Sequence, residues 1–205
     1  MLKQYNKFYP IRASLANSIF QLCKSMLFNW RKRQLSQQKI KRTFSVQGVT
    51  SRRLDFYYSW VMTGSLAIGP IPRNEEDWTQ LERDGIRKRF SCCYPEERVF
   101  APIPENWESR EVSLPDHRFQ EELTPEKLIY ALNEATNLLS LDDTPLYLHC
   151  FAGQERSALL AAGIVSLIAN KDLFDALAYV RQCHPKAKPL YEHLDILERA
   201  LKSYG

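Results

Sequence analysis

The chain has 205 residues, 44% hydrophobic and 25% charged, with a formal net charge of +4, enough to bury a full core in one domain plus an extension. Five cysteines, an odd number without paired spacing, argue against a disulfide framework and for a reducing compartment, and no Cys-x2-Cys or His-x3-His spacing offers a structural zinc site. Residues 1–53 hold twelve Lys or Arg and no acid, leaving sixteen basic against twenty-four acidic residues, a net of −8, beyond them. A nucleic-acid binder would carry positive surface on its folded domain, so that class is excluded, and the boundary falls near Arg53, giving segments 1–53 and 54–205.

Within the extension Ile11, Leu15, Ile19, Leu22 and Met26 recur at helical spacing, and Arg31-Lys32-Arg33 and Lys39-Ile40-Lys41-Arg42 follow. Residues 11–42 have three readings. They form a basic amphipathic helix docked on an anionic membrane surface or a partner, an organelle-targeting segment, or a helix packed on the domain's flank. The expected location is therefore cytoplasmic with membrane association in view, and organelle targeting stays open.

The domain then alternates strands and helices. Residues 65–68 predict a short strand near Gly64. Asn74 predicts a helix cap, with Glu75, Glu76 and Asp77 in the first turn and Gly85 past the end. Residues 86–92 predict a strand, an unusual one because it carries Arg87-Lys88-Arg89. The alternating Arg110-Glu111-Val112-Ser113-Leu114 predicts another, which leaves Asp116 at a strand end with Pro115 marking the turn. Thr124-Pro125 opens a helix whose inner face holds Leu128, Leu132, Ala135 and Leu139. The apolar run 158–168 is too short to span a bilayer and predicts a buried helix. Residues 170–183 and 189–201 predict two more, the last with Leu190, Leu194, Leu197 and Leu201 inward. Such alternation predicts an α/β fold with a central, mostly parallel sheet flanked by helices, which binds ligands at the carboxyl edge of the sheet.

The stretch Leu146-Tyr147-Leu148-His149-Cys150-Phe151-Ala152-Gly153-Gln154-Glu155-Arg156-Ser157 carries the chemistry. It reads as an apolar strand, a tight loop opening on a cysteine, and a helix. The backbone N–H groups of Phe151, Ala152, Gly153, Gln154, Glu155 and Arg156 predict an anion nest, to which the following helix adds the positive end of its dipole. Arg156 supplies a planar fork for two phosphate oxygens. Surroundings of this kind favour the thiolate of Cys150, so a nucleophile is held against a phosphorus atom.

This stretch resembles the signature of the cysteine-based tyrosine and dual-specificity phosphatases, His-Cys-x5-Arg-Ser/Thr. Leu114-Pro115-Asp116-His117 is similar to that family's general-acid loop, and Tyr179-Val180-Arg181 with His184-Pro185 to its C-terminal segment. The resemblance covers about residues 56 to 204. It implies a phosphatase-like three-layer domain that hydrolyses phosphomonoesters of phosphotyrosine, phosphoserine or phosphothreonine in a protein substrate. The reaction would run through a phosphocysteine, with no metal and no cofactor. In that chemistry Cys150 attacks phosphorus, while Arg156 and the loop amides stabilise the equatorial oxygens. Asp116 protonates the leaving oxygen and then activates water. Ser157 eases departure of the thiolate, and His149 organises the loop. Asp142 and Asp143 precede Thr144-Pro145 in a turn and are weaker candidates for the acid.

Glu155 stands where the family often has glycine. Pointing away from the phosphate it anchors the loop or pairs with a base; pointing inward it weakens binding of multiply charged substrates. Uncharged Phe151 and Gln154 argue for phosphoproteins over polyphosphoinositides, whose phosphatases tend to carry lysines in this loop. In some members a cysteine near the end of the neighbouring strand pairs with the catalytic one. Cys92 or Cys93 could serve here, Cys93 being favoured by motif position; both also fit as plain strand residues with no redox role. Two other classes stay open: a lipid phosphatase tethered by the N-terminal helix, and a non-catalytic phosphate-binding adaptor.

Overall fold

A computed structural model describes residues 56–97, 102–119 and 121–202. The extension 1–53, with the helix expected between residues 11 and 42, lies outside them. Five strands form one sheet: β1 (Ser59–Met62), β2 (Leu66–Pro70), β3 (Lys88–Ser91), β4 (Glu108–Glu111) and β5 (Leu146–Cys150). Their order is β1-β2-β5-β3-β4, with β1 antiparallel at one edge and every other pairing parallel. β5 lies in the middle, and its last residue, Cys150, pairs with Pro70 at the carboxyl edge.

The period of two decides which side chains meet which layer. Leu66, Ile68, Phe90, Leu146, Leu148 and Cys150 join the larger core, whereas Ala67 and Tyr147 face the smaller one with Trp78 and Trp107. The larger core is closed by α2 (Pro125–Ser140), α3 (Arg156–Ala169), α4 (Leu173–Cys183) and α5 (Tyr191–Lys202). α1 (Glu75–Arg83) covers the opposite face through Trp78 and Leu81. α3 is apolar nearly all round and almost wholly buried, as expected of a helix in the middle of a core.

The caps are as the sequence implies. Asn74 Oδ1 accepts the Asp77 amide at 2.9 Å, Thr124 caps α2 ahead of Pro125, and Gly85 follows α1 at φ 79°. The basic run is absorbed by the same alternation. Lys88 points to the larger core and donates from Nζ to the Leu138 and Asp142 carbonyls, both at 3.1 Å, closing the C-terminus of α2. Arg89 points the other way, to His149, Ser109 and Glu111.

Two expectations need correction. The fourth strand is Glu108–Glu111, earlier than the alternation at 110–114 placed it, although Val112 and Leu114 still donate to Ser91 and Cys92 carbonyls at 3.0 and 3.1 Å. The helix expected from residue 170 starts at Leu173, capped by Asp172; Asn170 ends α3 in the left-handed region at φ 49°. The edge strand β1 went unpredicted. Among the described residues no single helix is long and apolar enough to cross a membrane.

Candidate active site

The site begins where β5 ends. Beyond Cys150 the chain turns back through Phe151–Glu155 and enters α3 at Arg156. Gly153 makes the turn: its φ is 71°, and a Cβ there would lie 2.4 Å from the Gly69 carbonyl carbon and 2.6 Å from the Pro70 nitrogen. Three carbonyls of the loop are held from outside. Phe151 O accepts from the Ile71 amide at 3.4 Å, Gly153 O from the His184 imidazole at 2.9 Å, and Gln154 O from the Lys188 amide at 2.8 Å. Across a planar trans peptide the next N–H points opposite to its carbonyl. The amides of Ala152, Gln154 and Glu155 therefore turn inward, as an anion nest requires.

His184 is buried and works as a bracket. A carbonyl only accepts, so Nε2 carries the proton, and Nδ1 accepts from the Ser59 hydroxyl at 2.9 Å. Tyr57 stacks on the ring at 5.7 Å and its hydroxyl lies 2.9 Å from Ser59 Oγ. Burial lowers the pKa of His184, which keeps the neutral tautomer this arrangement needs.

Cys150 is 2% exposed, and Ser157 Oγ lies 3.4 Å from its sulfur. Glu155, the first residue of the helix cap, makes no side-chain capping bond to α3. Instead its carboxylate meets His117 Nδ1 at 2.7 Å, away from the loop amides. The orphan amides at the start of α3 are thereby left to an anion. His149 is fully buried and meets Arg89 Nη1 at 3.2 Å through Nε2, which must accept because a guanidinium only donates.

Arg156 is 1% exposed and fixed by two acids, Asp116 and one to which the sequence assigned no role, Glu97. Glu97, on the 3-10 turn Pro95–Glu97, receives Nη1 at 2.6 Å and Nη2 at 2.9 Å, the end-on fork of the guanidinium. Nη1 also reaches the Cys92 carbonyl at 3.2 Å, and Nη2 forms an ion pair with Asp116 Oδ2 at 2.9 Å. Nε, on the other edge of the fork, is buried with no hydrogen-bond partner. An unpaired buried donor is costly, so this edge is built for an acceptor such as a phosphate oxygen. Burial alone would push the Glu97 carboxyl up, but Arg156, the Tyr94 amide and Arg118 hold it below the usual carboxylate range.

Asp116 is buried and reaches the same cluster from the loop after β4. Arg118 donates to it from Nε at 3.1 and 3.2 Å, from Nη2 at 2.6 Å, and from its backbone N–H at 3.0 Å, while Nη2 also reaches Glu97 Oε1 at 2.5 Å. Burial opposes ionisation, yet Arg118 and the charge of Arg156 hold Asp116 below the usual range. Asp142, the weaker candidate acid, is pulled down to about 2 by the Lys88 ammonium, with which it pairs at the far end of α2.

No protein-family model and no curated protein sequence matches the chain. Solved structures do. PTPMT1 superposes with a TM-score of 0.60 at 17% identity, over 72% of this chain and 96% of that one. The human tyrosine phosphatase-like serine/threonine/tyrosine-interacting protein gives 0.62 at 17% identity, over 72% and 97%. DUSP15 gives 0.56 at 21%, over 72% and 94%. The chain has the tyrosine and dual-specificity phosphatase fold.

Within this phosphatase fold the sheet edge brings together Cys150, Arg156, Ser157, His149 and Asp116, with Glu97, Arg118 and His184, which had no assigned role, beside them. Glu97 was marked only by two adjacent acids after a strand end, and Arg118 only by standing two residues after Asp116. Cys92 and Cys93 lie beyond the end of β3, so strand alternation does not choose between them. Both are free, buried thiols that feel the charge of Cys150. Burial pushes Cys93 up to about 12 and Cys92 well above its usual value. Asp116, His117 and Glu155 bring ligand atoms within 4.8 Å of one another, the spacing of a metal site, but Asp116 already neutralises two guanidiniums and is a poor cation ligand.

Proposed function

We propose that the protein is a cysteine-dependent phosphomonoester hydrolase of the dual-specificity protein phosphatase type. The unpartnered Nε of the buried Arg156, held by Glu97 beside Cys150 and the inward loop amides, carries this reading. A phosphate dianion seated there takes hydrogen bonds from Nε and Nη2 along the free edge of the fork and displaces Asp116 from Nη2.

The Cys150 thiolate attacks phosphorus in line; the S–P bond forms as the P–O bond breaks, and the leaving oxygen takes its electron pair and a proton from Asp116. Asp116, now a carboxylate, removes a proton from water, whose oxygen attacks phosphorus. The S–P bond breaks, and the Ser157 hydroxyl steadies the thiolate. Glu155 is paired with His117, so the loop keeps no inward anion to repel substrate. The absence of lysine at Phe151 and Gln154 favours phosphoproteins over polyphosphoinositides, although PTPMT1, among the similar folds, is described in complex with PI(5)P. The presence of nucleophile, arginine and acid together favours an enzyme over an adaptor. Docking of residues 11–42 on an anionic surface is a proposal that rests on their charge and periodicity.

Purified protein should hydrolyse p-nitrophenyl phosphate and phosphopeptides faster than it releases phosphate from anionic phosphoinositide vesicles. Cys150→Ser should lose turnover and keep phosphate binding, and Arg156→Lys should lose most activity because a point charge cannot replace the fork. More than about a tenth of wild-type turnover in Cys150→Ser would overturn the covalent mechanism.

A further inference from the structure

Arg118 is the charged group that the mechanism above leaves unused. Its guanidinium binds both Asp116 oxygens and Glu97 Oε1, and it lies over the rings of Phe151 at 4.8 Å and Phe119 at 5.6 Å. Phe119 in turn stacks on Tyr94, with centroids 4.2 Å apart, and all three rings are partly exposed beside the phosphate loop. We infer that Arg118 sets leaving-group selectivity, favouring aryl over alkyl phosphates at this site, with phosphotyrosine the aryl phosphate that proteins carry. The inference rests on the hydrolase reading.

When a phosphate dianion draws Arg156 to itself, one of the two cations on Asp116 is lost. Arg118 is not, because Glu97 and the two rings fix it independently of the phosphate. The other groups facing Asp116 do not replace that charge. Glu97 is an anion, His117 is engaged by Glu155, and His193 on α5, which feels the charges of both Asp116 and Glu155, is kept neutral by burial. Arg118 thus keeps Asp116 a carboxylate more of the time than it would otherwise be, with less proton to give.

The cost of that depends on the leaving oxygen. As the S–P bond forms, the P–O electron pair goes to the departing oxygen. A phenol, with a pKa of about 10, is the less basic leaving group and loses less when a proton from Asp116 is scarce. A serine, threonine or inositol oxygen is far more basic and needs the proton in the transition state, where general acid catalysis contributes about a hundredfold or more. The partly exposed aromatic rim of Tyr94, Phe119 and Phe151 suits a flat ring above the phosphate.

The test compares wild type, Arg118→Leu and Arg118→Lys on a phosphotyrosine peptide and its phosphoserine analogue across pH 4.5 to 8. Wild type should favour phosphotyrosine by about a hundredfold or more in kcat/KM. In Arg118→Leu the alkaline limb of the pH profile should move up by about one unit, and the phosphoserine to phosphotyrosine ratio should rise about tenfold. Arg118→Lys should lie between. An equal loss on both substrates with an unmoved limb would make Arg118 structural and overturn the inference. Failure of every protein, wild type included, to release phosphate from either peptide would overturn the hydrolase reading itself and the selectivity with it.

Discussion

Two guanidiniums and two carboxylates share one cluster, buried at all but Arg118, and each arginine bridges both acids. Glu97 is the fixed member, because it holds the end of Arg156 away from the free Nε edge. Removing one partner of a buried pair leaves its charge uncompensated, so Glu97→Gln should destabilise the protein by about 3 kcal/mol, read from urea unfolding. It should also cut kcat/KM by about ten- to a hundredfold, since Arg156 would no longer be positioned. Unchanged kcat/KM would show that the Cys92 and Leu114 carbonyls suffice to hold the arginine. At this scale the sequence exposed the proposed reacting groups and hid the residues that hold them. Cys150, Arg156 and Ser157 lie within one short run whose spacing suits the phosphate of the proposed reading. Glu97, Arg118 and His184 act across sequence separations of 59, 2 and 31 residues, where no spacing rule connects an acid, a base or an imidazole to the group it holds.

Among the elements, the loop between β5 and α3 is the one whose backbone cannot vary. Gly153 is needed twice, for its positive φ and for the approach of the β2 backbone, which leaves no room for a Cβ. Gly153→Ala should therefore force the loop off β2, break the His184 and Lys188 contacts, and lower turnover by about a hundredfold or more, as small misplacements of a site do. Far-UV circular dichroism should stay close to wild type, because β5 and α3 are held by their own cores. Retained activity would mean that Pro70 can yield. The helices with clear caps were legible, α1 through Asn74 and α2 through Thr124-Pro125, as was the buried α3. Boundaries failed where one signal serves two roles: Asn170 fits both a left-handed helix end and a helix start, and only the backbone distinguishes them. β1 was missed because Ser59-Trp60-Val61-Met62 is short and does not alternate, and its place at the edge comes from pairing with β2.

Across the whole molecule, buried ionisable groups tie stability to pH in two steps. His184 and His193 have their pKa values lowered by burial, so below about pH 6.5 the unfolded chain binds protons that the native state refuses. Their contribution is present above that pH and is lost as pH falls toward their native values. Glu97 and Asp116 are held below the usual carboxylate range, so their contribution persists to about pH 4.5 and is lost beneath it. Urea midpoints should therefore be flat from pH 8 to 7, decline as pH falls below about 6.5, and fall again below about 4.5. His184→Gln isolates the first step, since its amide can still donate to Gly153 O while its oxygen accepts from Ser59. That variant should lose part of the decline that begins below about pH 6.5 and leave the acidic step unchanged. A first decline of undiminished size in both His184→Gln and His193→Gln would assign it to other groups, and with it remove the case for a neutral imidazole bracket beneath the phosphate loop.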